Sequence, residues 1–540
     1  MKSSWAMASV FVFVLSCSRP AQQATSSAPA AKSDTPAGVC DVNTTPPPDS
    51  NFPKGFDYPQ NVEPWVQNRK GHLMRTHAWC LFAGLNQQSQ TNGPFVWQNW
   101  KTSTQAFPNQ YNPWRGKSGE RVASRPSPLN ARNLANASTE GNNPINNPPP
   151  KYPINGAVAA KYPQCTEPIA GFPKWAQLKD GPRLQSNGDI MIAGVIYNDA
   201  AIKNILSTQL YNAAYLNTKL PVMNLAPPAA IPQFPSSSIV LKPMFWPVQK
   251  DGFTALPVWD WDANKPGGPS DGKYAGYEMQ QYWTKAVAIT ANPSAPAPAA
   301  IQYLHGVYDA AGKNPIGPVT YASPAFRVVS IGDFYHRQMD EGALQQLSPC
   351  DRALLDASAY WAYNRAFQAG DYLALVAMHI ITKEQPDWTF QSAWYHPDAN
   401  SGSCGRFCTD RPTNLKDTTF QHYYMTTTYG QIQQKTNPNY YAPPTTKGPV
   451  WPVAYNPYIE LAASHPITTN CMNCHHRAAW PPFDTVNKPD LKRASTYLQT
   501  DRPNPNALEV FEETDKNLFH GLVTLDSMWA VSDRAGYPNP

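Results

Sequence analysis

Apolar and polar positions alternate in short runs along this chain, and the runs are separated by proline-rich stretches. The clearest run is Asp371 to Lys383. Its alternation puts Leu373, Leu375, Ala377, His379 and Ile381 on one face and predicts a buried strand. Glu384-Gln385-Pro386-Asp387 predicts a turn. A second strand is expected after it, with Trp388, Phe390, Ser392, Trp394 and His396 on one face. Asp189 to Tyr197, Ser238 to Trp246, Thr284 to Thr290 and Phe326 to Ser330 also read as strands. Asp199 precedes a helical spacing of Ile202, Ile205, Leu206 and Leu210. Ser348-Pro349 fits an N-cap and first helical residue, and Gly370 a stop, so a helix is expected over 349–369. Asn506 to His520 also reads as helical, with Leu508, Phe511, Leu518 and Phe519 as its apolar positions. Strands mixed irregularly with helices and long loops predict an α+β fold, loop-rich, with a mainly antiparallel sheet. Proline-rich segments at 143–153, 225–235 and 292–299 read as surface loops. No glycine-rich phosphate loop or internal repeat occurs.

Composition narrows this picture. Of 540 residues, 57 are proline, 17 tryptophan and 27 tyrosine, and only 15% are charged, against roughly 25% in an average soluble domain. So much proline excludes a coiled coil or long bundle. The 30 glycines are too few for collagen. With 41% hydrophobic residues there is material for a core, which argues against disorder throughout. The formal charge of +5 comes without a Lys/Arg-rich block, so nucleic acid is not the expected partner.

The N-terminus reads as an export signal. Lys2 supplies a positive end, and Ala6 to Leu15 is apolar but too short to span a bilayer. Val14-Leu15-Ser16-Cys17 resembles the bacterial lipobox, which implies lipidation of Cys17 and a membrane anchor through acyl chains. Ser18 after the cysteine, by resemblance to enteric lipoproteins, implies the outer membrane, with the body in the periplasm. The expected organisation is a signal peptide at 1–17, a flexible Ala/Ser/Thr/Pro-rich tether at 18–50, an α+β body at 51–460 and a C-terminal region at 461–540 that carries Cys471, Cys474 and His475.

There are nine cysteines. Setting aside Cys17 and the pair Cys471 and Cys474 leaves Cys40, Cys80, Cys165, Cys350, Cys404 and Cys408. In an oxidising compartment these allow up to three disulfides, of undetermined connectivity. Cys404-Gly-Arg-Phe-Cys408 could close a local loop.

Cys471-Met472-Asn473-Cys474-His475 is C-x-x-C-H, the attachment signature of haem c. The spacing suits the chemistry. Two thiols must reach two vinyl groups of one porphyrin while the next residue sets an imidazole on the iron. A zinc half-site would need a second Cys or His pair nearby, and none has the usual spacing. A thioredoxin-like pair would sit in a βαβ unit, whereas Pro466 and Trp480-Pro481-Pro482 flank this one.

At this pentapeptide the chain resembles c-type cytochromes. That resemblance implies thioethers at Cys471 and Cys474 and His475 as proximal ligand. Through the segments GVIYNDAA, SSSIVLKP, HIITKEQPDW and NCMNCHHRAA it also resembles large bacterial single-haem cytochrome c family proteins of the lipoprotein type, a resemblance that brings no activity with it. The sixth iron position has four candidates: Met528, His520, His396 and His379.

Two weaker signals remain. Asp260-Trp261-Asp262-Ala263-Asn264 opens like a calcium loop. Lys265 stands where glycine is needed, however, and Asp271 where glutamate is, so an acidic surface loop is the preferred reading over calcium. Trp97, Trp100, Trp259 and Trp261 could stack on planar ligands, although buried packing is the default. The expected function is electron transfer by a lipid-anchored single-haem protein, with a redox protein or a small donor or acceptor as partner. The alternatives are an oxidase- or peroxidase-like haem enzyme with an open distal site, and a ligand-binding or sensing lipoprotein whose haem is structural.

Overall fold

The computed structural model describes residues 58–86, 96–109, 154–169, 172–186, 190–220, 229–259, 283–305, 317–401, 404, 407–412, 419–430, 454, 456–459, 470–481, 519 and 522–537. Cys17, the tether, Cys40, the 260–271 loop, Trp261 and His520 lie outside them, as does the expected helix at 506–520 apart from Phe519.

In chain order, the elements that build the site are α1 (Gly71–Leu85), β1 (Ile196–Tyr197), α2 (Asp199–Ser207), β2 (Ala229–Ala230) and β3 (Ile239–Val248). Then come β4 (Thr254–Val258), β5 (Lys285–Thr290), β6 (Phe326–Ser330), β7 (His336–Gln338) and α3 (Pro349–Tyr363). β8 (Tyr372–Thr382), β9 (Thr389–Tyr395), β10 (Tyr423–Thr428), α4 (Cys471–His475), β11 (Ala479–Trp480), β12 (Val523–Thr524) and α5 (Trp529–Arg534) follow.

The spine of the main sheet runs β1–β3–β8–β9–β10, and every pairing in it is antiparallel. β7 adds to β8 beside it. β4, β5 and β6 form a separate small sheet in which β5 and β6 run parallel. The expected α+β class with a mainly antiparallel sheet is therefore what folds. β8, paired with β3 on one edge and β9 on the other, is buried on both faces along nearly its whole length, which explains its near-continuous apolar sequence.

The expected strands are realised within a residue or two, with two corrections. The segment 189–197 breaks into Ile192–Ala193 and Ile196–Tyr197. Trp388 does not belong to β9: it closes the hairpin turn at φ +61°, because the ladder ends at the Thr382–Thr389 pair. The helix starting at Pro349 also ends earlier than Gly370. Asn364 terminates it in the left-handed region, φ 61°, which asparagine tolerates. The stop frees Arg365 to grip Asp371 with two hydrogen bonds of 2.6 and 2.8 Å. The stretch 292–299 is a loop, as expected.

One face of β8–β9 packs toward α1 around a buried polar cluster. Glu384 accepts from the Gln60 amide at 2.8 Å and the Thr382 hydroxyl at 2.7 Å, and stands 3.2 Å from His77 Nε2. His77 Nδ1 meets the Tyr429 hydroxyl at 2.8 Å. A buried carboxylate is tolerable only when its oxygens are met in this way. Trp97, Trp100 and Trp259 are buried in the core, and packing is the role seen for them.

Cys165–Cys350 and Cys404–Cys408 are disulfides, and Cys80 is disulfide-bonded as well. The first ties the short helical turn Pro163–Cys165 to the start of α3 across a separation of 185 residues. Closing so long a loop stabilises mainly by restricting the unfolded chain. The double variant Cys165→Ser/Cys350→Ser should therefore lose about 3–5 kcal/mol in equilibrium denaturant unfolding; a loss below ~1 kcal/mol would show that the bond constrains little.

Candidate functional site

The other face of the central sheet carries the C-x-x-C-H segment. Register places Val240, Ile381, Phe390 and Thr428 in one row across β3, β8, β9 and β10, and Lys242, His379, Ser392 and Thr426 in the next. Val240, Ile381 and Phe390 share a hydrophobic cluster with Cys471, Met472, Ala478, Leu525 and Met528. Residues from the expected body and the expected haem region thus form one core, with no packing boundary at 460 among the described residues.

Asn470 starts α4. Its Oδ1 accepts from the Met472 amide at 2.8 Å, an N-cap contact that satisfies one of the helix's orphan donors. Its Nδ2 donates to the Thr428 hydroxyl at 3.2 Å, which pins the turn to β10. Cys471 is buried with its thiol 3.5 Å from the Ala454 carbonyl. Cys474 closes the same turn three residues on, the spacing that places two side chains on one side of a helix; its side chain lies outside the described residues.

His475 lies against Phe390, ring centroids 4.7 Å apart. Its Nδ1 is 2.9 Å from the Ser527 carbonyl. A carbonyl can only accept, so Nδ1 carries the proton and Nε2 keeps a lone pair. Burial pushes this imidazole down to about 3, against the Ser527 bond, while His379, His476 and Lys242 push in the same direction as burial. The ring is neutral at neutral pH, the form that binds a metal, and its second nitrogen is held by a carbonyl as second-shell partners hold metal-ligating histidines. The donor set therefore fits a haem iron.

The Ser527 carbonyl is held in place by a tight turn. β11 and β12 pair Ala479 with Thr524, and the Leu525 amide donates to the Ala478 carbonyl at 3.0 Å. The 525–528 turn therefore stands opposite His475. Met528 N–H closes it on the Leu525 carbonyl at 2.9 Å, with Asp526 and Ser527 at φ 47° and 61°. Two non-glycine residues at positive φ mark a type I′ turn under strain, roughly 1–2 kcal/mol for each. Such strain persists only where the surroundings over-determine it. Here the Asp526 carboxylate pairs with Lys383 and accepts from the Phe234 amide at 2.8 Å. Both side chains of the pair are almost fully buried, and Lys383 also lies over the Trp388 ring.

The four sixth-ligand candidates separate. His379 sits on the same sheet face one row from Phe390. His396 does not approach the motif: it lies six residues beyond Phe390, about 20 Å along the strand. Its Nε2 meets the Trp259 carbonyl at 3.1 Å, its Nδ1 accepts from the Asp398 amide at 3.1 Å, and its ring stacks on Tyr424. Met528 is buried in the same apolar cluster as Cys471 and Phe390. His520 lies outside the described residues. The sequence reading assigned no role to Asn470, Ser527, Lys383 or Asp526. Only Asn470 carried a local signal, as a cap residue directly before a helical turn. Compared with protein-family models, curated proteins and solved structures, the chain matches none.

Replacing one partner of the buried pair strands the other. Lys383→Met should cost about 3–5 kcal/mol in urea unfolding, and Lys383→Met/Asp526→Asn should recover part of that loss. A loss in the double variant equal to the sum of the losses in Lys383→Met and Asp526→Asn would show that the pair carries no coupling.

Proposed function

We propose that this chain carries one covalently bound haem c, with thioethers at Cys471 and Cys474 and His475 as proximal ligand, and that it transfers single electrons. The observation that carries the reading is the His475–Ser527 hydrogen bond. It selects the tautomer with a free Nε2 in the residue that C-x-x-C-H reserves for iron. Bound haem supplies a one-electron couple.

The chain's own residues do the rest. Asn470 and Thr428 fix the turn that carries the thiols. Ser527 orients the imidazole. Phe390 packs against its ring and belongs to an apolar cluster with Val240, Ile381 and Met472, and a low local dielectric of that kind tunes a redox potential. Disulfides in the body agree with export to an oxidising compartment. With the lipobox at Cys17, this supports an outer-membrane lipoprotein with its body in the periplasm and a redox protein or small molecule as its partner. Among the described residues no helix is long and apolar enough to cross a membrane, so the acyl chains at Cys17 are the proposed attachment.

Intact-mass analysis tests this on protein exported from cells able to mature c-type cytochromes. The wild-type chain should gain the mass of one haem. Cys471→Ser and Cys474→Ser should each lower the attached fraction at least tenfold, and the double variant should carry none. The oxidised protein should ignore cyanide and peroxide. Peroxide-driven turnover of an electron donor would instead favour the haem-enzyme reading, and a bare-chain mass in the wild type would remove haem altogether.

A further inference from the structure

We propose that His379 is the second axial ligand of that haem iron, closing the site as a bis-histidine centre; the inference rests on the haem reading above. The argument is one of order along β8 and β9. At the hairpin end, Lys383 holds Asp526, and Ser527 follows directly in the chain. The next row inward is Ile381–Phe390, and Phe390 touches the His475 ring. The row after that is His379, flanked by Lys242 on β3 and Ser392 on β9.

Ser527 thus meets His475 from the hairpin side, through Nδ1. His379 stands in the row on the other side of Phe390, away from the hairpin end. Successive same-face positions on a strand are about 7 Å apart, and a diagonal neighbour across a ladder is about as far. An imidazole extending from His379 is therefore within reach of a metal held by His475.

The surroundings favour His379 over its neighbours. The Ser392 hydroxyl already accepts from Asn456 Nδ2 at 2.8 Å. His379 is half-buried one strand row from Phe390, whereas His396 lies six residues beyond Phe390 with both nitrogens bonded to the main chain. A neutral imidazole is a strong-field ligand, and two of them make a low-spin iron that exogenous ligands enter slowly. That suits electron transfer more than catalysis.

The test uses the full chain with haem attached. Wild type should be low-spin in both oxidation states, with the EPR signature of two histidines and no methionine charge-transfer band. His379→Ala/Lys242→Met, in which the adjacent lysine cannot substitute, should turn high-spin, bind cyanide at least tenfold faster, and return to low-spin when imidazole is added. His379→Met should raise the midpoint potential, as histidine–methionine ligation does. His396→Ala should change none of these properties. A wild-type spectrum that is high-spin or methionine-ligated overturns the proposal even if every variant misfolds. So does an unchanged low-spin spectrum in a folded His379→Ala/Lys242→Met protein, which would assign the ligand elsewhere, His520 included. Protein without haem overturns the underlying reading instead, and the two failures are distinguished by the haem content measured first.

Discussion

The arrangement around the C-x-x-C-H segment depends on a buried ion pair. Lys383 leaves the end of β8 and meets Asp526 in a region from which water is almost excluded. Burial raises the Asp526 carboxyl, and Lys383 together with the Phe234 amide opposes that rise. Desolvating two charges costs several kcal/mol for each, so such a pair is weak evidence for net stability. Its geometric effect is clearer. It fixes where the 525–528 turn lies and holds two residues at positive φ, and so brings one backbone carbonyl to His475 Nδ1. The ion pair, the strained turn and the imidazole tautomer form one chain of constraint.

That chain crosses the expected boundary between body and haem region. Phe390 and Ile381 come from the middle of the protein, yet Phe390 lies against the ring of His475 and both share a cluster with Cys471 and Met472. A short C-x-x-C-H turn with five helical residues has too little of its own surface to bury, and five residues are too few for a stable isolated helix. It borrows a sheet face instead. This offers one physical reason for a large body beside a single motif: the sheet supplies the rigid, apolar surface that the C-terminal segment lacks.

Much of the fold was legible from period-two alternation. The alternation that put His379 and Ile381 on one face of β8 is the face that the motif packs against, and the same rule put Phe390 and Ser392 beside them. What alternation does not encode is distance along the strand. His396 and His379 share a face, but six residues of strand separate His396 from Phe390. The turn that orients His475 was illegible for another reason. A serine at positive φ has no sequence signature, and the lysine and aspartate that enforce it are separated by 143 residues. Asn364 ended α3 six residues before the expected Gly370 by taking the left-handed conformation that asparagine tolerates, a stop that the glycine rule does not flag.

The most direct test of the central claim is a pyridine haemochrome measured after acidified-organic extraction. Extraction removes haem that is only ligated and leaves haem bound through thioethers. The account predicts a c-type haemochrome spectrum that stays with the polypeptide, at one haem per chain. A colourless protein after extraction, or a stoichiometry near zero in protein made with a working maturation system, would contradict it.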